Sequence, residues 1–317
     1  MSSNNIVKQT QLIVNSIDWE KALQDFYNYE DVDDTTIKTY IKGVKNFINW
    51  IHDNAIKFID KSVILAYKDY LLYAYADTTA STYFSGVKNF FKFLEEYIGI
   101  PNITRNVKSI PIERTHRKQA LAKNQILKIK NDIESNLISL QENRDYIIFK
   151  LLLYNGLRTI ELHRTNKSDI KYEDGSFIIM IQGKGKKAKT QKAVLMDSVA
   201  IPLLQYLEMR KTDTYEPLFI SLSTNTYGRR LSTKSISKII KQMLKRNGYN
   251  SKELTAHSLR HTAITFALLG GATLQETQIL GRHADINTTT IYAHNIDRIK
   301  NAPEHYIEDY LNSEDEK

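Results

Sequence analysis

The stretch "GSFIIMIQGKGKKAKTQKAVLM" (residues 175–196) interrupts a chain whose other segments have helical patterns. Two apolar runs rich in Ile and Val flank a Gly/Lys loop, and this arrangement is typical of a β-hairpin. We expect strands at 177–182 and 190–196, with "GKGKKAK" at an exposed tip. From Lys123 onward, the remaining segments are helical in pattern and are joined by short polar turns. This half of the chain therefore predicts a mainly helical domain with a small antiparallel sheet.

The first hundred residues predict a small domain made only of helices. In "TTIKTYIKGVKNFINWIHDN" (35–54) and "DTTASTYFSGVKNFFKFLEEYIG" (77–99), apolar side chains recur at helical spacing. Shorter helices are expected at 18–29 and 62–75. Because the aromatic residues keep the helical period, we interpret them as core residues rather than as a base-stacking surface.

Between these parts, residues 99–123 hold two of the five prolines and break the hydrophobic periodicity. The pattern predicts an N-terminal domain at 1–100, a basic extended linker at 101–119 and a second domain at 120–317. A linker crossing DNA could neutralise phosphates, and a hydrated tether fits the pattern equally well. The basic residues concerned are Arg105, Lys108, Arg114, Arg117 and Lys118.

Charge is distributed unevenly along the chain, whose net charge is +8. Residues 1–100 sum to −3 and contain no arginine, whereas residues 101–317 sum to +11. A basic surface confined to the later part of the chain favours a polyanion as partner, and nucleic acid is a better candidate than an anionic membrane. A basic face that is only solvated is the alternative.

Several classes of protein are excluded or disfavoured by composition. The chain has no cysteine, so disulfides, thiolate metal sites and a cysteine nucleophile are excluded. No apolar run approaches the roughly 20 residues that span a bilayer, and the polar N-terminus lacks a signal pattern. We expect a cytoplasmic protein without membrane contact.

Two stretches of the second domain carry candidate phosphate-binding and proton-donating groups. In "LLLYNGLRTIELHRT" (151–165), Arg158 and Glu161 share a helix face, and an Arg held by a carboxylate suits bidentate phosphate binding. A structural ion pair explains that spacing as well. At the hairpin tip, Lys184 could donate a proton to a leaving oxygen, with a solvated turn as the alternative. The tip lacks the spacing of a phosphate-binding P-loop.

Two further stretches contribute histidines and a tyrosine. In "LTAHSLRHTAITFALLGG" (254–271), the spacing places His257 and Arg260 on one side of a helix, and Ser258 stands where a zinc-protease helix needs Glu. We therefore predict no metal. In "LGRHADINTTTIYAH" (280–294), one unbroken helix would put His283 and Tyr292 on opposite sides, about 13.5 Å apart along the axis. The capping residues between them suggest a turn, with the threonine run as the break that brings them together.

Together these groups suit one reaction. A tyrosine hydroxyl attacks a phosphodiester, arginines hold the nonbridging oxygens and a lysine protonates the departing oxygen. The bond energy is conserved in a phosphotyrosine, so neither a metal nor another cofactor is needed.

The order and spelling of "GLRTIEL", "QGKGKK", "HSLRHT" and "LGRHADINTTTIYAH" resemble the tyrosine recombinase (integrase) family, of the compact two-domain, Xer-like type. The resemblance covers roughly residues 120–294. It implies that Tyr292 is the nucleophile, that Arg158 and Arg260 bind the scissile phosphate, and that Lys184 is the general acid.

The resemblance further implies supporting roles and two departures. His257 and His283 would supply hydrogen bonds or proton transfer, and Glu161 would buttress the first arginine. Family members commonly read Gly-His directly, whereas Arg282 stands between the glycine and His283 here. Lys186 and Lys187, which we also expect to contact DNA, crowd the proposed general acid.

The family implies that the domain at 1–100 binds DNA, that the domain at 120–317 is catalytic, and that the two close as a clamp around double-stranded DNA. The DNA would carry short inverted half-sites, and a homo-tetramer would assemble on two sites. The C-terminal stripe Tyr306, Ile307, Tyr310 and Leu311 could dock on a neighbouring subunit or on its own domain. The expected function is site-specific recombination, serving a mobile element's integration and excision or the resolution of DNA dimers. Relaxation by a type IB topoisomerase and non-catalytic DNA binding are the alternatives.

Overall fold

The computed structural model describes residues 12–112, 120–183, 186 and 188–300, apart from the side chains of residue 15 and residues 294–300. The chain divides into two compact units, Met1–Thr115 and His116–Lys317. The described residues are mainly helical, and their sheets are small and antiparallel, as predicted. None of the helices in these residues is long and apolar enough to cross a membrane.

Four α-helices form most of the described part of the first unit. The prediction of a domain made only of helices is wrong in one detail, because two short strands pair beside them. Asp18 and Asp60 begin two of the helices by accepting hydrogen bonds from the backbone N–H groups of the first turn. The helices predicted at 18–29, 35–54 and 62–75 agree with the observed ones to within one residue. The one predicted at 77–99 is α-helical only to Phe93 and continues as a π-helical turn, Leu94–Ile98. The elements are β1 Leu12–Ile13, α1 Trp19–Tyr29, α2 Asp34–Asp53, β2 Phe58–Ile59, α3 Lys61–Ala74 and α4 Asp77–Phe93.

The core of the first unit is built where α2 crosses α4. A Cβ atom on Gly43 would lie 2.7 Å from the carbonyl oxygen of Tyr83, and one on Gly86 would lie 2.6 Å from that of Tyr40. The two backbones can approach this closely only because both positions lack a side chain. The prediction that the aromatics form the core is confirmed by the fully buried rings of Phe26, Phe47, Phe84, Phe90 and Phe91.

The prediction of an extended linker starting at residue 101 is wrong for residues 101–112. Val107 and Ile110 are each 3% exposed and belong to the core of the first unit. The Oγ of Ser81 donates to the carbonyl of Ile110 at 3.0 Å, and the Nζ of Lys88 donates to that of Val107 at 2.8 Å. Burial of two apolar side chains thus holds this segment against α3 and α4. Residues 113–119 lie outside the described residues.

Eight helices and one sheet form the described part of the second unit. The sheet order is β3-β4-β5, antiparallel throughout. The two hairpin strands agree with the prediction to within one residue, whereas β3, which has only the four residues "IKYE", was missed. The elements are α5 Lys123–Glu134, α6 Leu140–Tyr154, α7 Thr159–Arg164, β3 Ile170–Glu173, β4 Ser176–Ile181, β5 Gln191–Leu195, α8 Asp197–Met209, α9 Thr233–Arg246, α10 Ala256–Leu269, α11 Leu274–Gly281 and α12 Asn287–Lys300.

Helix α6 runs through the centre of the second unit and is buried on all sides from residue 146 to residue 153. Ile147, Ile148 and Leu151 are fully buried, because α8, α9 and α10 pack around this helix. Helix α10 also packs against α11 and α12. The end of α6, the start of α7 and the α11–α12 connection are therefore brought to one end of α10, where the candidate site lies.

Candidate active site

Arg158 and Glu161 form a pair at the start of α7. The chain leaves α6 and turns at Gly156, which has φ of 56°. Glu161 accepts the backbone N–H of Arg158 at 2.8 Å and its guanidinium Nη1 at 2.7 Å. The Glu161 side chain is fully buried, while that of Arg158 keeps 25% exposure. The carboxylate therefore fixes a guanidinium that can still reach a bound molecule.

The ionisation of Glu161 is controlled by its neighbours. Burial acts to raise the pKa of this carboxyl, yet the net pKa is lowered, because the positive charges of Arg282 and Arg158 and a backbone hydrogen bond favour the charged form. Glu161 is thus a charged group kept inside the protein by its partners.

Arg260 ties two loops of the site together. It lies on α10 and is 2% exposed. Its guanidinium donates to the carbonyl of Gly156, before α7, and to the carbonyl of Gly281, at the end of α11. Burial and the nearby charges of Arg158 and Arg282 lower the pKa of Arg260, but a guanidinium starts far above neutral pH and stays charged.

The predicted break between His283 and Tyr292 exists, but the threonine run does not form it. Helix α11 ends at Gly281 and α12 begins at Asn287, whose N–H is accepted by the carboxylate of Asp285 at 2.9 Å. The threonines lie within the first turn of α12. Thr289 is fully buried there, and its hydroxyl hydrogen-bonds Nδ1 of His283 at 2.9 Å.

Two histidine rings lie beside the candidate nucleophile, and a third histidine contacts one of them. The ring of His283 lies parallel to that of Tyr292 with centroids 6.3 Å apart, and the ring of His261 lies 5.1 Å from it. His257 contacts His261 edge-on at 4.7 Å. His261 lies within "HSLRHT", but no prediction from the sequence placed it in the site.

Tyr292 is 7% exposed and its phenol is protonated at neutral pH. Burial raises the pKa of Tyr292 to about 12, although the positive charges of Arg260 and Arg158 act in the opposite direction. A reaction that uses this oxygen as a nucleophile must therefore remove its proton during the attack.

Arg282 is the residue that sequence reasoning missed as a member of the site. Its guanidinium lies 3.1 Å from the Glu161 carboxylate, and its side chain is 4% exposed. The sequence does contain an indication of this role, because Arg282 interrupts the usual Gly-His pair. An additional guanidinium beside the histidine needs an acidic partner.

The hairpin tip contributes in part to a cleft of about 730 Å³ lined by site residues. Gly183 and Lys186 line it from the tip, while Arg158, Gln278 and His283 line it from the other elements. Lys184 and Lys187 lie outside the described residues, as do Arg114, Arg117, Lys118 and the C-terminal stripe at Tyr306, Ile307, Tyr310 and Leu311.

Of the described linker residues, Arg105 pairs with the carboxylate of Glu95 at 2.7 Å, at an exposed position. Lys108 offers its carbonyl to the Nζ of Lys68 at 3.0 Å. Within the described ranges, no three His, Asp or Glu side chains form a group that could hold a metal ion.

Comparison with protein families assigns the class of the chain. Residues 119–298 match the model of the phage integrase family, and residues 23–97 match the phage integrase N-terminal SAM-like domain. The chain therefore belongs to the phage integrase family, the tyrosine recombinase family that its motifs resemble.

Individual relatives agree with this class. The tyrosine recombinase XerC of Chlamydia trachomatis is 37% identical over 152 residues, which cover 48% of this chain and 46% of that protein. XerC of Corynebacterium glutamicum is 33% identical over 166 residues, 51% of each protein. The chain thus spans about half the length of the curated relatives it matches.

Solved structures share the fold. XerH site-specific recombinase bound to palindromic difH substrate in a post-cleavage complex superposes with a TM-score of 0.71 and 21% identity, covering 90% of this chain and 84% of that one. A lambda integrase (75–356) dimer bound to a COC′ core site gives a TM-score of 0.64 and 19% identity, with 89% and 95% covered.

Proposed function

We propose that this protein is a site-specific DNA recombinase that cleaves and rejoins double-stranded DNA through Tyr292. One observation carries the proposal. Arg260 hydrogen-bonds both the loop before Arg158 and the end of α11, so that the arginines and the Tyr292–His283 pair belong to one polar cluster. XerC relatives and the family match support the same activity.

The proposed cleavage transfers the scissile phosphate from a 5′ oxygen of the DNA to Tyr292. The Tyr292 hydroxyl oxygen bonds to the scissile phosphorus and loses its proton, and the bond from phosphorus to the 5′ oxygen breaks. The departing oxygen gains a proton and becomes a 5′-hydroxyl. A 5′-hydroxyl of the partner strand then attacks the 3′-phosphotyrosine and restores both a phosphodiester and the free tyrosine. The phosphoester bond is exchanged at each step, so the cycle uses neither a metal ion nor ATP.

Charge at the site favours a phosphate ligand. Three guanidiniums, from Arg158, Arg260 and Arg282, surround the single carboxylate of Glu161. A phosphodiester would supply the missing negative charge, and preorganised donors hold a developing charge better than water does. Arg158 and Arg260 are proposed to bind the nonbridging oxygens.

Proton transfer is assigned to the histidines and to the hairpin lysine. The raised pKa of Tyr292 requires a proton acceptor, and His257 and His283 are proposed to support this step. Lys184, at the tip between β4 and β5, is proposed as the general acid for the 5′ oxygen, since an ammonium group releases a proton more readily than a guanidinium.

A basic helix beside the site is suited to the DNA backbone. Lys234, Lys238 and Lys245 are exposed at helical spacing on α9. Ser237 of the same helix lines a cleft of about 270 Å³ together with Arg158 and His257. Further phosphate contacts are proposed for Arg105, Lys108, Arg114, Arg117, Lys118, Lys186 and Lys187.

Assembly and biological task extend the proposal. Strand exchange between two sites requires a protomer at each cleaved strand, hence a homo-tetramer on short inverted half-sites, with the C-terminal tail as the proposed contact between subunits. The task is integration and excision of a mobile element or resolution of DNA dimers, carried out in the cytoplasm.

Covalent trapping tests the function. Duplexes that the protein selects from a random library are resynthesised with a nick near each candidate cleavage position, so that the short 5′-hydroxyl product diffuses away and religation stops. We expect the wild-type protein to form a denaturant-resistant adduct. Tyr292→Phe should form none.

Tyr227→Phe is the matched control, because Tyr227 is exposed and belongs to the same unit. An adduct with Tyr292→Phe would remove the nucleophile from the proposal. Recombination between two sites on one plasmid, assayed beside relaxation of a plasmid without sites, separates a recombinase from a type IB topoisomerase.

A further inference from the structure

Arg282 has a backbone conformation that is unfavourable for a residue with a side chain. It follows α11 with φ of 49° and ψ of 46°, in the left-handed region where glycine is the usual residue after a helix. Its N–H donates to the carbonyl of Ile279 at 3.0 Å, and the next N–H, of His283, donates to that of Gln278 at 3.2 Å. These bonds end the helix, and a glycine would make them with less strain.

The side chain of Arg282 is 4% exposed, and each of its three nitrogens donates a hydrogen bond inside the protein. Its Nε and Nη2 donate to Oε2 of Glu161 at 3.3 and 3.1 Å, and its Nη2 also donates to the carbonyl of Gly156 at 2.8 Å. Both terminal nitrogens reach the carbonyl of Asn155 at 3.3 Å. A buried charge is costly unless it is paired, and here Glu161 supplies the pair.

Glu161 divides its two oxygens between the arginines. Oε1 accepts the guanidinium of Arg158, whereas Oε2 accepts the backbone N–H of Arg158 and the guanidinium of Arg282. The carbonyl of Arg282 in turn accepts Nη2 of Arg158 at 3.4 Å. Arg282 thus contacts both members of the pair that faces the cleft.

We propose that Arg282 is a positioning residue for DNA cleavage, holding Glu161 so that Arg158 presents its guanidinium to the scissile phosphate; this inference rests on the proposed function. Arg282 acts through Glu161, because its side chain is 4% exposed and its Nε and Nη2 donate to the Glu161 carboxylate. The residue before His283, which is commonly glycine in the family, is thus an arginine that binds the same carboxylate as Arg158.

The charged groups around Glu161 decide how the ionisation of this carboxyl depends on pH. They are Arg158 at the start of α7, Arg282 after α11 and Arg260 on α10. From α9, the side chain that lines the adjoining cleft is Ser237, which does not titrate. Without Arg282 the buried carboxyl loses its nearest charge on one oxygen, so the pKa of Glu161 rises. The acidic limb of the pH–rate profile then moves to higher pH.

The test is single-turnover cleavage of the nicked duplex by Arg282→Gly, a change that suits the left-handed backbone. We expect cleavage to slow by about 10²-fold, as for the loss of one preorganised contact, with DNA affinity unchanged and the acidic limb shifted upward. Methylguanidinium, compared with potassium chloride at the same ionic strength, should restore part of the rate. Arg282→Lys should retain more activity than the glycine variant.

Two controls separate positioning from folding. Asp174 also has φ of 49°, in the turn between β3 and β4, and Asp174→Gly should leave cleavage unchanged. In a Glu161→Gln background, Arg282→Gly should cost little further, because the two residues act as one unit.

Wild-type rates and pH profiles in Arg282→Gly would overturn the inference. Should the glycine variant not fold, the same result in Arg282→Gln, which removes the charge, would overturn it. Failure of the wild-type protein to form an adduct would instead overturn the proposed function, so the two results are distinguishable.

Discussion

The two units of this protein differ in what they bury. In the described part of the first unit, the buried side chains are apolar or aromatic, with Ser81 and Thr104 as the polar ones. The second unit buries the charged groups Arg144, Lys150, Glu161, Asp169, Arg210 and Arg260. Burying a charge costs free energy unless a partner balances it. The first interior is therefore built for packing, and the second also sets the positions of charged groups.

The largest expected effect belongs to the apolar interior. Phe84 is fully buried in α4, and Phe84→Ala should lower the free energy of unfolding by about 3–5 kcal/mol through the lost burial and the cavity. Urea denaturation measures this change. Tyr73, which is 94% exposed on α3, provides the control, and Tyr73→Ala should change it by less than about 0.5 kcal/mol. Equal losses in the two variants would contradict the assigned core.

In the charged interior, Arg260→Ala should affect activity most. Removal of a preorganised donor is expected to slow cleavage by about 10²- to 10³-fold. Because Arg260 also ties Gly156 to Gly281, a thermal melt should be measured beside single-turnover cleavage. Arg229→Ala removes an exposed charge from the same unit and should cleave normally. A wild-type rate in the Arg260 variant would remove this residue from the site.

A smaller, pH-dependent effect is expected for Glu161→Gln. The folded protein lowers the pKa of Glu161, so its charge stabilises the fold above the carboxyl's ordinary pKa of about 4.3, and this contribution is lost as pH falls through the lowered pKa. At pH 7 the variant should be less stable by about 2 kcal/mol. Urea denaturation from pH 7 down to the acid range should show the gap narrowing, and a constant gap would contradict the ionised pair.

The smallest effect is expected for the equivalent pair in the first unit. Glu95 and Arg105 form an exposed ion pair, with side chains 31% and 68% exposed. Solvent screens such pairs, so at pH 7 Glu95→Gln should lower the free energy of unfolding by less than Glu161→Gln does. Denaturation of this variant beside Glu161→Gln compares an exposed pair with a buried one. A larger loss for Glu95→Gln would reverse the comparison.

Sequence periodicity was enough for the first unit because local pattern and packing agree there. Each helix buries one apolar stripe, so residue spacing locates it. The segment at 101–112 was misassigned because its buried residues do not recur at a regular spacing. Val107 and Ile110 are isolated apolar residues, and only the three-dimensional packing of α3 and α4 gives them a place to bury.

The candidate site depends on contacts between residues far apart in sequence, which periodicity does not report. The motif order proposed which residues meet, and the break before α12 brings His283 to Tyr292. The buried pair of Arg282 with Glu161 joins residues 121 positions apart. The left-handed backbone at Arg282 and the burial of His261 also arise from tertiary packing. In the sequence, only the arginine between Gly281 and His283 was visible as unusual.

Peptide mapping of the trapped adduct tests the central claim most directly. Trypsin cleaves after Arg282 and Arg298, and the peptide between them contains a single tyrosine, Tyr292. Mass spectrometry of the nuclease-trimmed wild-type adduct should find the nucleotide on this peptide. A nucleotide on any other peptide, or the absence of an adduct on cleaved DNA, would contradict the assignment of Tyr292 as the nucleophile.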